Sequence, residues 1–161
     1  MTTIDGFDIT AWADSLGFAE FGGEPDDLVC VGDLEVAWYI GRRGDVYTAD
    51  FSSKGHRRGL ASASTAGGAL RVVMLEVGRG ARSAQRLPNL DAGTTSGVDM
   101  EEGPTAFHVR WPSGWIDVHK GLLADRRARL LAATVEHPPE DLAASLRSPT
   151  GAPLFQSGGS A

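Results

Sequence analysis

The 161-residue chain contains a single cysteine, Cys30. One cysteine excludes an intrachain disulfide and a multi-cysteine metal site, and this usage fits a reducing cytoplasm. Long apolar runs are also missing, since none approaches the roughly 20 residues that span a bilayer. The N-terminal segment MTTIDGFDIT has neither the basic region nor the apolar region of an export signal. We therefore predict a cytoplasmic protein without a membrane partner.

Basic residues are missing from the first quarter of the chain. Residues 1–41 contain nine carboxylates and neither lysine nor arginine, whereas residues 42–86 contain nine basic residues and three acidic ones. The formal net charge is −6, so phosphate backbones repel the protein and we predict no nucleic-acid partner. The acidic segment has two interpretations. It steers a cationic partner to the protein, or it is a solvated surface that keeps the protein soluble.

The sequence also lacks the motifs of known catalytic and nucleotide sites. No serine lies in G-x-S-x-G, and no glycine pair continues into G-x-G-x-x-G or GxxxxGK[ST]. His108 and His119, with Asp117 nearby, fall short of the three or four ligands of a zinc site. Glu101 and Glu102 point to opposite faces of a strand, so they cannot share a proton. We predict no catalytic residue, no cofactor and no metal ligand, which favours a binding protein.

Length and hydrophobic periodicity predict the fold class. A chain of 161 residues fits one domain, which we place at residues 1–155, followed by a flexible tail at residues 156–161. Four helices are predicted from apolar spacing and capping residues: residues 8–17, a central helix from Ser64 or Thr65 to about Gly78 or Gly80, residues 122–135, and a helix starting at Pro138 or Pro139. Strand hairpins lie between them. This inventory predicts an α+β domain with a largely antiparallel sheet, packed by N-terminal, central and C-terminal helices.

The first predicted hairpin has its turn at Arg43-Gly44. This turn places six apolar residues on one face in three facing pairs: Val36 with Phe51, Trp38 with Ala49, and Ile40 with Tyr47. The segment SSKGHRRG that follows is basic and contains glycine. We predict that it is a link to the central helix.

The second predicted hairpin has its turn at Ser113-Gly114. Its apolar face pairs Trp111 with Ile116 and Val109 with Val118, and its polar face pairs Arg110 with Asp117 and His108 with His119. Trp115 falls on the polar face, where it is either covered or exposed.

Five segments, taken in order, carry a resemblance to a known family: DITAWADSLGF, EVAWYIGRRGDVYTADFSS, ARSAQRLPNL, WPSGWIDV and LRSPTGAPLF. Each segment is short, so their order and spacing over nearly the whole chain carry the resemblance. Together they resemble the small immunity proteins that are encoded beside polymorphic toxins in actinobacteria, including mycobacteria.

The resemblance implies a cytoplasmic protein without enzymatic activity that binds one cognate toxin in a one-to-one complex and blocks its active site. The toxin that it suggests is a secreted NAD glycohydrolase. With the acidic segment, it predicts a toxin interface that includes Asp26, Asp27, Asp33, Glu35 and Trp115. Two alternatives stay open: a cytoplasmic secretion chaperone for an exported protein, and a small enzyme whose site is assembled from dispersed residues.

Overall fold

The computed structural model describes residues 1–158 and shows twelve strands and four helices in that part of the chain. The strands are β1 (Thr3–Ile4), β2 (Phe7–Asp8), β3 (Ala19–Glu20), β4 (Asp27–Gly32), β5 (Val36–Arg43), β6 (Val46–Ser53), β7 (His56–Ala63), β8 (Leu90–Ala92), β9 (Asp99–Glu102), β10 (Ala106–Trp111), β11 (Gly114–His119) and β12 (Phe155–Ser157). The helices are α1 (Ile9–Asp14), α2 (Ala66–Ala84), α3 (Ala124–Ala132) and α4 (Pro139–Arg147). None of these four helices has the length and apolar character that a membrane crossing requires.

Eight strands form one antiparallel sheet in the order β3-β4-β5-β6-β7-β11-β10-β9. Two separate two-stranded sheets pair β1 with β2 and β8 with β12. The predicted α+β domain with a largely antiparallel sheet is confirmed. The large sheet is open, and its two edges are the two-residue strand β3 and strand β9, whose four residues are all exposed.

The helices share one apolar core with a single face of this sheet. Helix α2 packs on β5, β6, β7 and β11, α3 packs on β9, β10 and β11, α1 packs on β3 and β4, and α4 packs on α2. Alternate strand residues enter that core, among them Val31, Trp38, Ile40, Ala49, Val109 and Ile116. Because side chains alternate along a strand, the residues between them point to the opposite face.

The first hairpin differs from its predicted register by two residues. Its turn is Gly44-Asp45 rather than Arg43-Gly44, and the observed pairs include Trp38 with Phe51 and Ile40 with Ala49. Gly44 adopts a φ of +63°, as a two-residue turn with glycine in first position requires. A shift of two residues leaves every side chain on its original face. The predicted register is therefore wrong, and the predicted apolar face is correct.

The second hairpin shows the same shift. Its turn is Pro112-Ser113 rather than Ser113-Gly114, and the observed pairs are Trp111 with Gly114, Val109 with Ile116, and His108 with Asp117. A Cβ on Gly114 would lie 2.8 Å from Cζ2 of Trp111. Only glycine leaves enough space opposite the indole. This steric requirement favours the observed register, in which Trp111 pairs with Gly114, over the predicted one.

The basic segment SSKGHRRG is a hairpin and not a link. Lys54 and Gly55 form its turn, with φ angles of 51° and 78°, and β6 pairs with β7 from Ser53 and His56 onward. Positive φ at both central residues is the geometry of a type I′ turn. The prediction failed because the first half of β7 is polar on both sides and shows no apolar alternation.

Capping residues begin the first two helices. The Asp8 carboxylate accepts a hydrogen bond from the backbone N–H of Ala11, and the Thr65 hydroxyl accepts one from Gly68. Helix α2 continues to Ala84, so its predicted end near Gly78 or Gly80 is wrong. A Cβ on Gly78 would lie 2.6 Å from Cδ1 of Leu146. Gly78 is therefore the point where α4 approaches the backbone of α2, and not a helix terminator.

The C-terminal segment is held against the helices by a buried arginine. The Arg82 guanidinium donates hydrogen bonds to the backbone carbonyls of Pro88, Leu146, Ser148 and Pro149. Strand β12 then pairs with β8. Residues 156 and 157, predicted to open a flexible tail at 156–161, belong to this strand instead, and residues 159–161 lie outside the described part of the chain.

Candidate functional site

The sheet face opposite the helices, here called the open face, is polar. Its side chains belong to Cys30, Tyr39, Thr48, Asp50, Arg57, Ser62, His108, Arg110, Trp115, Asp117 and His119. They pair with one another across the strands, as Thr48 does with Ser62 and Ser62 with Asp117. The four described helices pack on the apolar side of the sheet, so the open face is the broad surface that remains available to a partner.

A buried ion network lies at the centre of this face. The Arg57 guanidinium donates to both oxygens of Asp27, from Nη1 at 2.9 Å and from Nη2 at 2.7 Å. It also donates to Oδ2 of Asp50, from Nε at 2.9 Å and from Nη2 at 2.7 Å. The guanidinium lies 4.1 Å from the centroid of the Tyr39 ring. Arg57 therefore joins β7 to carboxylates on β4 and β6.

This network sets the charge state of Asp27. Burial alone raises the pKa of a carboxyl, but the hydrogen bonds that Asp27 accepts from Arg57 and from the backbone N–H of Glu24 outweigh that effect. The pKa of Asp27 consequently lies below its ordinary value. The pKa of Arg57 is raised, chiefly by its hydrogen bonds to Asp27. Asp27 and Arg57 are therefore both charged at neutral pH.

A groove of about 460 Å³ runs over β6 and β7 beside this network. Its lining residues are Arg43, Val46, Thr48, Asp50, Arg57, Arg58, Gly59, Ser62 and His119. Gly59 keeps the groove open, because a Cβ there would lie 3.0 Å from Nδ1 of His119. The Thr48 side chain is buried beneath the groove, with its hydroxyl oxygen beside Gly41 of β5, and residues 1–158 offer this hydroxyl no hydrogen-bond partner.

The two histidines of the second hairpin have different partners. Nδ1 of His108 lies 2.7 Å from Oδ1 of Asp117, and Arg110 is 3.7 Å from the same oxygen. Nε2 of His119 lies 3.2 Å from the Ser62 hydroxyl. The predicted facing of His108 and His119 is therefore wrong, whereas Arg110 and Asp117 do lie close together. Because Asp117 binds His108, it does not orient His119 as the acid of a Ser-His-Asp triad does.

Metal ligation finds no support in the same region. Within residues 1–158, no group of three or more His, Cys, Asp or Glu side chains is arranged to hold a metal ion. Cys30 lies on the open face beside Tyr39 and is only 4% exposed. Burial raises the pKa of its thiol, which makes it a poor nucleophile at neutral pH.

The five residues predicted for a toxin interface do not form one cluster. Asp26 is exposed at the start of β4, and Asp27 next to it is held by Arg57. Asp33 and Glu35 are exposed in the turn at the other end of β4, roughly 20 Å away for a strand of this length. Trp115 is half-buried on β11, four strands from β4.

The turn that carries Asp33 and Glu35 is tightly hydrogen-bonded. Oδ1 of Asp33 accepts hydrogen bonds from the backbone N–H groups of Glu35 at 2.8 Å and Val36 at 2.9 Å. These bonds lower the pKa of Asp33. Leu34 at the tip of the turn is fully exposed. The turn therefore presents fixed negative charge at the rim of the sheet.

Arg57, Asp50 and Thr48 were not identified from the sequence as functional residues. Arg57 is 30 positions from Asp27, and the two meet only through the strand order of the sheet. The available signal was the excess of arginine in residues 42–86 directly after an acidic segment. That pattern favours long-range ion pairs, but it does not specify which carboxylates take part.

Comparisons with known proteins give one family and one fold. The sequence model of the family described as Immunity protein 61 matches residues 12–154. The solved structure of Rv3902c from M. tuberculosis is similar, with a TM-score of 0.72 and 16% sequence identity, over 97% of this chain and 98% of that chain. Identity this low indicates a shared fold. None of the curated proteins matches this chain.

Proposed function

The chain belongs to the Immunity protein 61 family and is an immunity protein that binds a cognate toxin, and from this premise we propose that the open face is its toxin-binding surface. The observation that carries the proposal is a wide polar sheet face opposite the helices. Seven spacings between eight strands, at about 4.8 Å each, give a width of about 34 Å. With strands about 20 Å long, this face offers about 700 Å², close to the roughly 800 Å² that one partner buries in a standard complex.

Charge on the rim of this face supports recognition of a toxin with basic surface. Asp26, Asp33 and Glu35 are exposed at the β4 side of the sheet, and β9 adds exposed carboxylates at the opposite edge. Complementary charge raises the rate of association more than it raises final affinity. Asp27, which is buried and paired with Arg57, contributes little to this field. The steering charge therefore comes from the rim rather than from the centre.

The mode of inhibition proposed here is steric. A sheet face of this size, applied over the active-site cleft of a toxin, excludes substrate without any catalytic step by the immunity protein. We propose a one-to-one complex, formed in the cytoplasm before the toxin is secreted. The family resemblance supports an NAD glycohydrolase as the toxin, whose cleft receives phosphate groups and therefore attracts carboxylates.

Co-expression with the toxin encoded beside its gene tests the proposal. Wild-type protein is expected to restore growth, and one molar equivalent is expected to abolish toxin activity, measured as NAD consumption. Ser62→Trp, which adds bulk to the open face, and Arg110→Glu, which reverses an exposed charge on it, are expected to weaken both effects. The matched control is Arg129→Glu on the exposed side of α3.

Two outcomes would contradict the proposal. Full rescue by folded Ser62→Trp and Arg110→Glu, checked by melting temperature, would exclude the open face as the binding surface. Binding of wild type without loss of toxin activity would favour the secretion-chaperone alternative instead.

A further inference from the structure

A second groove, of about 350 Å³, lies at the C-terminal end of α2, on the helix side of the sheet, and is here called the α2 groove. Its lining residues are Arg79, Arg82, Ser83, Arg86, Leu87, Pro88, Asn89 and Leu90. Three of them are arginines and none is acidic. In a protein whose formal net charge is −6, the α2 groove is a local concentration of positive charge.

The carboxylates near the α2 groove do not balance its arginines. Oε1 of Glu76 lies 3.2 Å from Nη1 of Arg79, and the same oxygen accepts a hydrogen bond from Nε of Arg127 at 2.8 Å. Two arginines therefore share one carboxylate. Among residues 1–158, no carboxylate forms an ion pair with Arg82 or Arg86. The α2 groove consequently has an excess of positive charge.

Arg82 is a buried cation without a countercharge in the described part of the chain. Its side chain is 4% exposed, and its Nη1 and Nη2 atoms donate to four backbone carbonyls. Its Nε has no hydrogen-bond partner in residues 1–158. Burial lowers the pKa of Arg82, and no neighbouring carboxylate offsets this effect. Neutral carbonyls satisfy the hydrogen bonds of a guanidinium but leave its charge unpaired, whereas buried charges are normally paired. An anion in the α2 groove would supply the missing charge.

Arg86 has a backbone conformation that arginine seldom adopts. Its φ is +56°, directly after the C-cap residue Gln85, at a position that glycine usually occupies. The N–H of Arg86 donates to the carbonyl of Ser83, and the N–H of Leu87 donates to the carbonyl of Arg82. These two bonds form a Schellman motif, so the backbone closes α2 without help from the arginine side chain. An exposed arginine at a position that favours glycine indicates a role for its guanidinium outside the fold.

We propose that the α2 groove binds a phosphate group of a small ligand. Arg79 and Arg86 donate hydrogen bonds to the phosphate, and Arg82 contributes charge, because its Nη atoms are already occupied. The Ser83 hydroxyl and the Asn89 amide can donate further hydrogen bonds. The excess charge selects phosphate over carboxylate, because a phosphate group carries about −1.5 to −2 at pH 7 and gains more from unpaired arginines. This site is separate from the open face and does not depend on the proposed toxin docking.

Arg86→Gly gives the sharpest test, because glycine suits the left-handed backbone at this position. The free variant is expected to melt at the same temperature as wild type or higher. Inorganic pyrophosphate, which has two linked phosphate groups, is titrated calorimetrically into each protein at constant ionic strength. Wild type is expected to bind one equivalent, and the dissociation constant is expected to rise about tenfold or more in Arg86→Gly. Arg79→Gln, a second variant in the α2 groove, is expected to weaken binding as well.

The matched control is Arg110→Gln, which removes the same charge from an exposed arginine of the open face. It is expected to bind pyrophosphate as wild type does. Equal weakening in Arg86→Gly and Arg110→Gln would show that binding follows net charge, and would overturn the proposal. No binding by wild type at about 10 mM pyrophosphate would overturn it too, as would acetate binding with equal affinity. Each of these failures leaves the open-face proposal standing, because no toxin takes part in the measurement.

Discussion

Replacing Arg57 with methionine tests how much the buried ion network contributes to stability. The Asp27 and Asp50 side chains are only 3% and 7% exposed, so the variant leaves two buried carboxylates without their common partner. Methionine retains an unbranched side chain near the Tyr39 ring. Removing one member of a buried ion pair costs about 3 to 5 kcal/mol. We expect the free energy of unfolding of Arg57→Met at pH 7 to be lower by about that amount.

The effect of this substitution depends on pH with a defined sign. In the wild type the folded pKa of Asp27 is depressed, so its contribution is present above the unfolded pKa of about 3.9 and is lost as pH falls through the folded pKa. In Arg57→Met, burial acts without the hydrogen bonds from the arginine and raises the folded pKa of Asp27. The variant therefore loses stability as pH rises. The difference between the two proteins is largest near neutral pH and shrinks toward pH values of about 4 to 5.

Urea unfolding followed by tryptophan fluorescence, at several pH values between about 5 and 8, measures this difference. Arg129→Met is the matched control, since Arg129 is exposed on α3 and its effect is expected to stay within about 0.5 kcal/mol. An Arg57→Met variant within about 1 kcal/mol of wild type at every pH would refute the reasoning. A difference that grows as pH falls would refute it as well.

Three further predictions concern the core, the cysteine and the acidic rim. Trp38→Ala is expected to lower the free energy of unfolding by about 3 to 5 kcal/mol in urea, because it empties a large buried site, and a loss below about 1 kcal/mol would contradict this packing. The buried Cys30 thiol, whose pKa burial raises, is expected to react with iodoacetamide at a pH of about 8 much more slowly in the folded protein than in urea, and equal rates would exclude its burial. Replacing Asp26, Asp33 and Glu35 with Asn or Gln is expected to slow association with the toxin at low salt and to flatten the salt dependence, and an unchanged on-rate would remove these carboxylates from the encounter.

Alternation of apolar residues predicts the faces of a hairpin but not its register. The first hairpin has its apolar face as predicted, although Trp38 pairs with Phe51 instead of Ala49. Two registers that differ by two residues give the same alternation, so the pattern cannot distinguish them. In the second hairpin the deciding contact is the Trp111 indole over Gly114. Alternation considers only whether a residue is apolar or polar, so it does not register that the indole needs glycine opposite it.

Charge along the sequence predicts even less about the centre of the site. The nine carboxylates of residues 1–41 are alike in sequence, yet Asp27 is buried against Arg57 while Asp26 next to it is exposed. The difference arises because β7 returns toward β4 across two strands, which no local pattern specifies. The hairpin that carries Arg57 was predicted as a link, so the arginine had no predicted place on the sheet.

The edges of the large sheet affect whether the free protein aggregates before it binds a toxin. An inhibitor that acts by occupying its target must be held in reserve at a concentration at least equal to that of the target. An open eight-stranded sheet at such concentrations risks polymerising edge to edge. Strand β3 offers only two residues to an incoming strand, and β9 brings Asp99, Glu101 and Glu102 against the same charges of a second copy. The short edge strand β3 and the acidic edge strand β9 therefore allow the protein to accumulate to high concentration without forming fibres.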